Sequence, residues 1–294
     1  MSSRAAASER PQARRGAFAT ALALATLVRA GTCVSGALVC VVGARTAGSA
    51  PPGRIALAAV SIAFLIAFAQ TVNDVVDVDA DRLDKPHRPL ASGRLSIASA
   101  IKVAIACAGV GLATAAALGP LQALFAAALL MLSWAYSWRW QRVVLLGNVV
   151  VATLASCSVS YGAVAADGIA PLTAAVQGVV LAFALGFEVL KTGRDVRGDR
   201  ASGGATVATR FGVRRTALLA AALVTLAAVV SLAPALLIAR PLPYLAAMGI
   251  LGVLPSLVCV ARLVRRGHSV ADLGPALRWL QLAWRGGTIA LLLT

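Results

Sequence analysis

Long apolar runs, about nine of them and each near the roughly 20 residues that cross a bilayer, restrict what this chain can fold into. Hydrophobic residues make up 60% of the chain and charged residues only 13%, which excludes a mainly water-facing surface. Because backbone polar groups in lipid must be satisfied internally, runs of this length predict helices. The fold class is therefore all-α, a polytopic membrane protein with about nine transmembrane helices. The runs cover residues 17–44, 54–72, 97–118, 120–138, 143–166, 170–190, 215–237, 241–262 and 275–294.

The basic residues predict how the chain is oriented. A net charge of +16 would suggest nucleic-acid binding in a soluble protein, but here the basic residues lie between apolar runs. They are concentrated in alternate loops, and the opposite loops hold only Arg45, Arg54 and Arg240. Since Lys and Arg are retained on the cytoplasmic side, we predict a basic cytoplasmic tail over residues 1–16 and one transmembrane domain over residues 17–294. The Ala- and Arg-rich composition suggests a bacterial plasma membrane.

Most of the acidic residues gather in two short segments. Of the 11 acids, five lie between Asp74 and Asp84, and three more lie between Glu188 and Asp199. Both segments begin where an apolar run ends, the second run and the sixth. Carboxylates beside a membrane repel one another and are costly to desolvate, so such clusters need a cation or a function. We expect two halves of the bundle to bring these acidic ends together.

The spacing within the clusters predicts a magnesium site. In a continuous helix Asn73, Asp77 and Asp81 would share one face, and so would Asp195 and Asp199. Oxygen ligands without His or Cys suit Mg²⁺ rather than zinc or copper. The candidate metal ligands are Asn73, Asp74, Asp77, Asp81, Asp195 and Asp199.

Solvated ion pairs or an ion-transport path could also gather acidic residues, but both fit the pattern less well than a metal site does. Ion pairs between solvated loops would need no regular spacing of oxygen ligands. An ion transporter would hold its carboxylates singly near the middle of the membrane, whereas these lie at helix ends.

The same motifs resemble a known family. Asn73-Asp74-x-x-Asp77-x-x-x-Asp81 is similar to the first signature of the UbiA superfamily of intramembrane prenyltransferases, and Asp195-x-x-x-Asp199 resembles the second. Further likenesses are the loop from Asp84 to Arg94, the stretch from Tyr136 to Asn148, and Arg29 in the first helix. The resemblance covers roughly residues 25–215 and implies nine helices around a central cavity with a cytoplasmic cap. The chain departs from the family at Thr192, where many members have Asp, and at Arg139, Gln141 and Arg142, where some have Lys.

The resemblance implies a magnesium-dependent enzyme that ionises an isoprenyl diphosphate and transfers the allylic cation to an aromatic or lipid acceptor. Asp77, Asp81, Asp195 and Asp199 would then be the catalytic residues, acting through Mg²⁺. The candidate diphosphate contacts are Arg29, Arg88, Arg139, Arg142, Lys191 and Arg194. The candidates for facing the cation and the prenyl tail are Tyr136, Tyr161 and Phe187.

Two alternatives stay open in the sequence. Some members of the superfamily are terpene cyclases, in which the double bonds of the substrate itself capture the cation. A lipid binder or transporter without catalysis is the other. A transferase needs polar groups for its acceptor, and a cyclase needs a dry aromatic cavity. Thr192 and the few polar residues inside the runs favour the cyclase, and the tail length, acceptor and oligomeric state are not encoded in any motif.

Overall fold

In the computed structural model, residues 19–294 are described, and this part of the chain is helical without strands. The residues assigned to the basic tail lie outside the described residues. Short 3-10 helices cover Trp140–Arg142 and Ala233–Leu236, and a π-helix covers Met248–Val253. The α-helices are α1 over residues 19–27, α2 Ala30–Ala47, α3 Pro52–Val76, α4 Val78–Asp84, α5 Ile97–Leu118, α6 Pro120–Trp138, α7 Leu146–Ala165, α8 Pro171–Arg194, α9 Val196–Ala201, α10 Val207–Val230, α11 Pro241–Ala247, α12 Leu254–Arg266 and α13 Val270–Leu291.

The predicted all-α, multi-pass fold is confirmed. Within the described residues, 8 helical segments are long and apolar enough to cross a membrane. They are α2, α3, α5, α6, α7 and α8, the segment Val207–Leu236, and the segment Pro241–Arg266. The ninth predicted span corresponds to α13, which has the length but carries Asp272, Arg278 and Arg285. The count of nine therefore stays a prediction.

The first apolar run is broken, although its composition predicts one uninterrupted helix. Arg29 has φ 49° and ψ 60°, the left-handed conformation, and separates α1 from α2. This conformation is costly for a residue with a Cβ atom, so it persists only where other contacts hold it. Arg29 forms an ion pair of 2.6 Å with Asp74 of α3. The break therefore places a basic side chain against the end of α3.

Helices α2 and α7 cross with their backbones in direct contact. A Cβ atom added to Gly162 would lie 1.8 Å from the carbonyl oxygen of Cys40. At Gly43 the corresponding atom would lie 1.9 Å from the carbonyl oxygen of Val159. Small residues allow such close approach between membrane helices, whose association depends on van der Waals packing. This crossing fixes one wall of the bundle.

A π-helical turn interrupts the segment that leads into α12. Pro255 has no N–H to donate to the carbonyl of Leu251, four residues earlier, and the π-helix Met248–Val253 occupies this place. The Leu251 carbonyl lies against α13, where a Cβ atom at Gly286 would be 2.3 Å from it. The segment and α13 thereby pack closely in the same half of the bundle as α8 and α10.

Candidate functional site

Both acidic motifs adopt the same backbone geometry. Asp77 is the C-cap of α3, with φ −94° and ψ 10°, and α4 begins directly after it. Asp195 is the C-cap of α8, with φ −90° and ψ 12°, and α9 follows. This region between α and β is sparsely populated and is frequent at active sites. The helices are therefore interrupted at the first Asp of each pair. The spacing of the acids had assumed a continuous helix.

The short helices α4 and α9 bring the two motifs together. The backbone N–H of Gly198 donates a hydrogen bond of 2.7 Å to Asp84. The Lys85 ammonium lies 2.8 Å from Asp195 and 3.5 Å from Asp81, one acid from each motif. The expectation that the two acidic ends meet is confirmed by these contacts.

Gly198 controls the distance between α4 and α9. A Cβ atom there would lie 2.5 Å from an Asp84 carboxylate oxygen and 3.1 Å from the Ala80 carbonyl oxygen. We expect Gly198→Leu to push the two helices apart and to lower the rate of substrate turnover roughly a hundredfold, the effect of misplacing reacting groups by about 1 Å. Steady-state kinetics would measure this, with Gly53→Leu as the control because nothing lies within 4 Å of a Cβ atom at Gly53. Equal rates in both variants would contradict the prediction.

Asp74 holds two arginines. It is 2% exposed, and its carboxylate lies 2.6 Å from Arg29 and 3.0 Å from Arg88. Arg29 also donates to Gln70, and Arg88 also pairs with Asp81. A buried carboxylate that accepts hydrogen bonds from two guanidinium groups fixes their positions. Asp74 therefore positions two of the predicted diphosphate contacts in this structure, and its role as a metal ligand stays a prediction.

Asp77 belongs to a network of amides. The Asn73 side-chain N–H₂ group donates to Asp77 at 2.9 Å and to the Gln141 oxygen at 2.8 Å. The Gln141 amide in turn donates to the other Asp77 oxygen at 2.8 Å. Sequence reasoning had noted Gln141 only as a departure from the family, because a neutral amide in a loop carries no charge pattern. The 3-10 helix Trp140–Arg142 brings it to the acidic motif.

The carboxylates of the two motifs influence one another's ionisation. Burial and the nearby Asp81 charge raise the pKa of Asp77. Burial and the Asp195 charge raise the pKa of Asp199 to about 7, with Asp77 contributing in the same direction. Burial also opposes ionisation of Asp195, but the Arg194 hydrogen bonds and the Lys85 charge outweigh it and lower that pKa to about 2. The ionised forms of Asp77 and Asp199 are therefore disfavoured where the two motifs meet.

The donor set fits Mg²⁺. Among residues 19–294 no three His, Cys, Asp or Glu side chains form a closed metal centre. Mg²⁺ does not need one, because it usually takes one or two carboxylates and completes its shell with water and substrate phosphates. Burial and neighbouring carboxylates both oppose ionisation of Asp77 and Asp199, and a bound cation would offset that opposition.

A cavity of about 650 Å³ opens beside the acidic motifs. Its walls include five of the predicted site residues, namely Arg29, Asn73, Tyr136, Phe187 and Lys191. Lys191 pairs with Glu188 at 2.8 Å and lies 5.8 Å from the centre of the Phe187 ring. The polar end of the cavity thus adjoins the two motifs, and the remainder lies between membrane helices.

Four of the predicted diphosphate and tail contacts do not line the cavity, namely Arg88, Arg139, Arg194 and Tyr161. Arg88 and Arg194 instead pair with acids of the two motifs. Tyr161 is fully buried in the core, where its hydroxyl lies 2.6 Å from that of Ser61 and its ring packs on Phe125. These contacts are with α3 and α6, and Tyr161 is not among the residues that line the cavity. Arg139 is exposed at the end of α6 and does not line the cavity. The side chain of Arg142 lies outside the described residues.

The cavity carries more polar groups than the sequence suggested. Thr26, Thr32, Ser35, Ser133, Ser137, Ser158 and Gln281 are among its lining residues. The Ser137 hydroxyl is buried and has no hydrogen-bond partner in the described part of the chain. A buried polar atom without a partner is costly, so its presence at a cavity wall points to a ligand with a polar group.

Comparisons with known proteins agree with this geometry. Residues 33–279 match a model of the UbiA prenyltransferase family. Digeranylgeranylglyceryl phosphate synthase from Methanopyrus kandleri is 34% identical over 221 residues, covering 74% of this chain and 77% of the relative. The Korarchaeum cryptofilum protein of the same name is 30% identical over 216 residues, covering 73% of this chain and 76% of the relative.

Solved structures show the same fold. A UbiA homologue from Archaeoglobus fulgidus, bound to GPP and Mg²⁺, superposes with a TM-score of 0.69 at 21% sequence identity. The superposition covers 92% of this chain and 99% of that chain. The helical arrangement around the cavity is therefore that of a known structural class.

Proposed function

Because this chain belongs to the UbiA prenyltransferase family, we propose that it uses Mg²⁺ to transfer a prenyl group from an isoprenyl diphosphate to a lipid that carries a glyceryl phosphate. The observation that carries this proposal is the cavity, which adjoins both acidic motifs and has polar groups on its walls. The relatives named above make a product with two geranylgeranyl groups on glyceryl phosphate. An acceptor with one such group would yield it.

The residues around the motifs would bind the diphosphate and its metal. Asn73, Asp77 and Asp81 would hold one ion, and Asp195 and Asp199 the other. Bound Mg²⁺ would neutralise phosphate oxygens and stabilise the charge that develops on the leaving group. The homologue solved with GPP and Mg²⁺ supports this assignment. Arg29 and Arg88, positioned by Asp74, and Lys191 at the cavity wall would donate to the remaining oxygens.

The cavity would hold the prenyl tail and exclude water. The allylic carbon–oxygen bond breaks, and its electron pair leaves with the diphosphate. The hydroxyl oxygen of the acceptor then bonds to the allylic carbon, and its proton passes to the diphosphate. Tyr136 and Phe187 line the cavity and would face the positive charge through their rings.

The cyclase alternative finds no support among the relatives named above, whose names describe transfer to a lipid. The polar groups on the cavity wall also suit an acceptor better than a dry cyclisation chamber. We further propose that the acidic motifs face the cytoplasm, on the strength of the loop charges. The named relatives are archaeal, and the bacterial source stays a prediction.

An acceptor-dependence assay tests the function. The purified protein in uncharged detergent, with Mg²⁺ and geranylgeranyl diphosphate, is expected to release diphosphate and form a doubly prenylated lipid only when geranylgeranylglyceryl phosphate is added. Mass spectrometry of extracted lipids would detect the product, and a parallel sample with EDTA should form none. A cyclic hydrocarbon formed without an acceptor would overturn the proposal.

A further inference from the structure

Helix α13 brings an arginine into the cavity from a wall that carries neither acidic motif. Arg285 and Gln281 are one turn apart and both line the cavity, as does Trp284 between them. Both Arg285 and Gln281 are exposed, and an ionisable residue within a predicted membrane span usually marks a functional site. The motif resemblance covered residues to about 215, so no sequence motif had drawn attention to this helix.

Arg285 differs from the other basic residues of the cavity in its partners. Within the described chain, three basic side chains line the cavity, namely Arg29, Lys191 and Arg285. Arg29 pairs with Asp74 and Lys191 pairs with Glu188. Arg285 forms no ion pair or hydrogen bond within residues 19–294. Its charge is therefore available to an anionic ligand in the cavity.

The packing of α13 on α8 shows how far Arg285 lies from the acidic motifs along the bundle. The two helices are antiparallel, because Leu273 packs at the level of Gly193 and the Trp284 ring lies 5.3 Å from that of Phe183. At 1.5 Å per residue, Trp284 is then roughly 18 Å along the bundle from Asp195. The side chain of Arg285 is directed back toward the start of α13, and so toward the motifs. Its guanidinium therefore lies between the level of Trp284 and the level of the motifs.

From this placement we infer that Arg285, supported by Gln281, binds the phosphate group of the lipid acceptor. The inference rests on the proposed function and names the residues that would select its acceptor. A phosphate there would lie farther from the motifs than the acceptor hydroxyl, which must reach the allylic carbon. A guanidinium and an amide one turn apart offer several N–H donors to the phosphate oxygens. The motifs would bind the donor and α13 the acceptor.

Binding measurements separate the two sites. Titrations of tryptophan fluorescence in uncharged detergent would give dissociation constants for three probes: geranylgeranylglyceryl phosphate, geranylgeranylglycerol, and geranylgeranyl diphosphate with Mg²⁺. For Arg285→Gln we expect the phosphorylated lipid to bind at least about tenfold more weakly, the loss typical of a charged hydrogen bond. The neutral lipid and the diphosphate should bind as they do to the unaltered protein. Arg285→Lys should restore part of the affinity, because it keeps the charge without the planar fork.

The control variant is Arg278→Gln, which removes an exposed arginine of α13 outside the cavity and should change no constant. Equal weakening of both lipids would assign Arg285 a structural role and overturn the inference. Weakening of the diphosphate alone would make Arg285 a donor contact, with the same consequence. If the unaltered protein transfers the prenyl group to the phosphorylated lipid but Arg285→Gln is unaffected, the inference fails and the proposed function stands. Diphosphate binding without any binding of the phosphorylated lipid would refute both.

Discussion

Replacing Asp77 or Asp199 with asparagine is expected to lower kcat for prenyl transfer at least about a hundredfold, the effect of removing one group that stabilises a leaving charge. The two carboxylates lie one in each motif, where burial and neighbouring carboxylates disfavour their ionised forms and a cation would stabilise them. The amide keeps the shape of the side chain but supplies no negative charge to Mg²⁺. Single-turnover kinetics with saturating donor and acceptor would measure the loss.

The first motif contains its own control for this experiment. Asp79 has a side chain that is 85% exposed and, among residues 19–294, pairs only with Arg82 of the same helix. We expect Asp79→Asn to retain the activity of the unaltered protein. Loss of activity in Asp79→Asn, or full activity in Asp77→Asn, would contradict the assignment of the metal ligands.

The second large effect concerns stability. Gly162→Leu should lower the melting temperature by roughly 10 °C or more, because α2 and α7 must separate to admit the side chain. Separation of α2 and α7 would also shift the residues of both helices that line the cavity. Thermal unfolding in detergent, followed by tryptophan fluorescence, would measure the shift.

Gly109 provides the matched variant. It is an exposed glycine of α5 with nothing within 4 Å of an added Cβ atom. Gly109→Leu is expected to leave the melting temperature unchanged, since its side chain would face lipid. A similar fall in melting temperature in both variants would show that the effect arises from helix propensity or sample preparation rather than from the α2–α7 crossing.

Hydropathy predicted most of the fold, and its failures have physical causes. The boundaries of α5 and α6 match the predicted runs 97–118 and 120–138, because Gly119 and Pro120 end one helix and begin the next. The break at Arg29 could not be predicted, since an average over apolar residues does not register one left-handed residue held by a distant carboxylate. Side chains from another helix decide such a conformation.

The site was predictable where charge and spacing carried the signal. The clusters around Asp77 and Asp195 were identified because carboxylates at helix ends are rare and regularly spaced. The contact of Gln141 with Asp77 was not predicted, because it depends on how a loop turns. The predicted place of Tyr161 in the cavity differs from its place in the core, because it depends on which way a helix face turns. An aromatic residue inside an apolar run gives no indication of whether it lines a cavity or fills a core.

The π-helical turn before α12 has a consequence for which face of this segment stays buried. Its buried residues Tyr244, Met248, Gly252 and Ser256 recur every four positions. In a regular α-helix such a stripe would rotate by about 40° at each step and leave the protein interior. The wider turn absorbs the drift, as if one residue had been inserted and accommodated locally. Cys259 and Leu263 consequently keep facing the core, and the basic end of the segment, Arg265 and Arg266, stays turned outward.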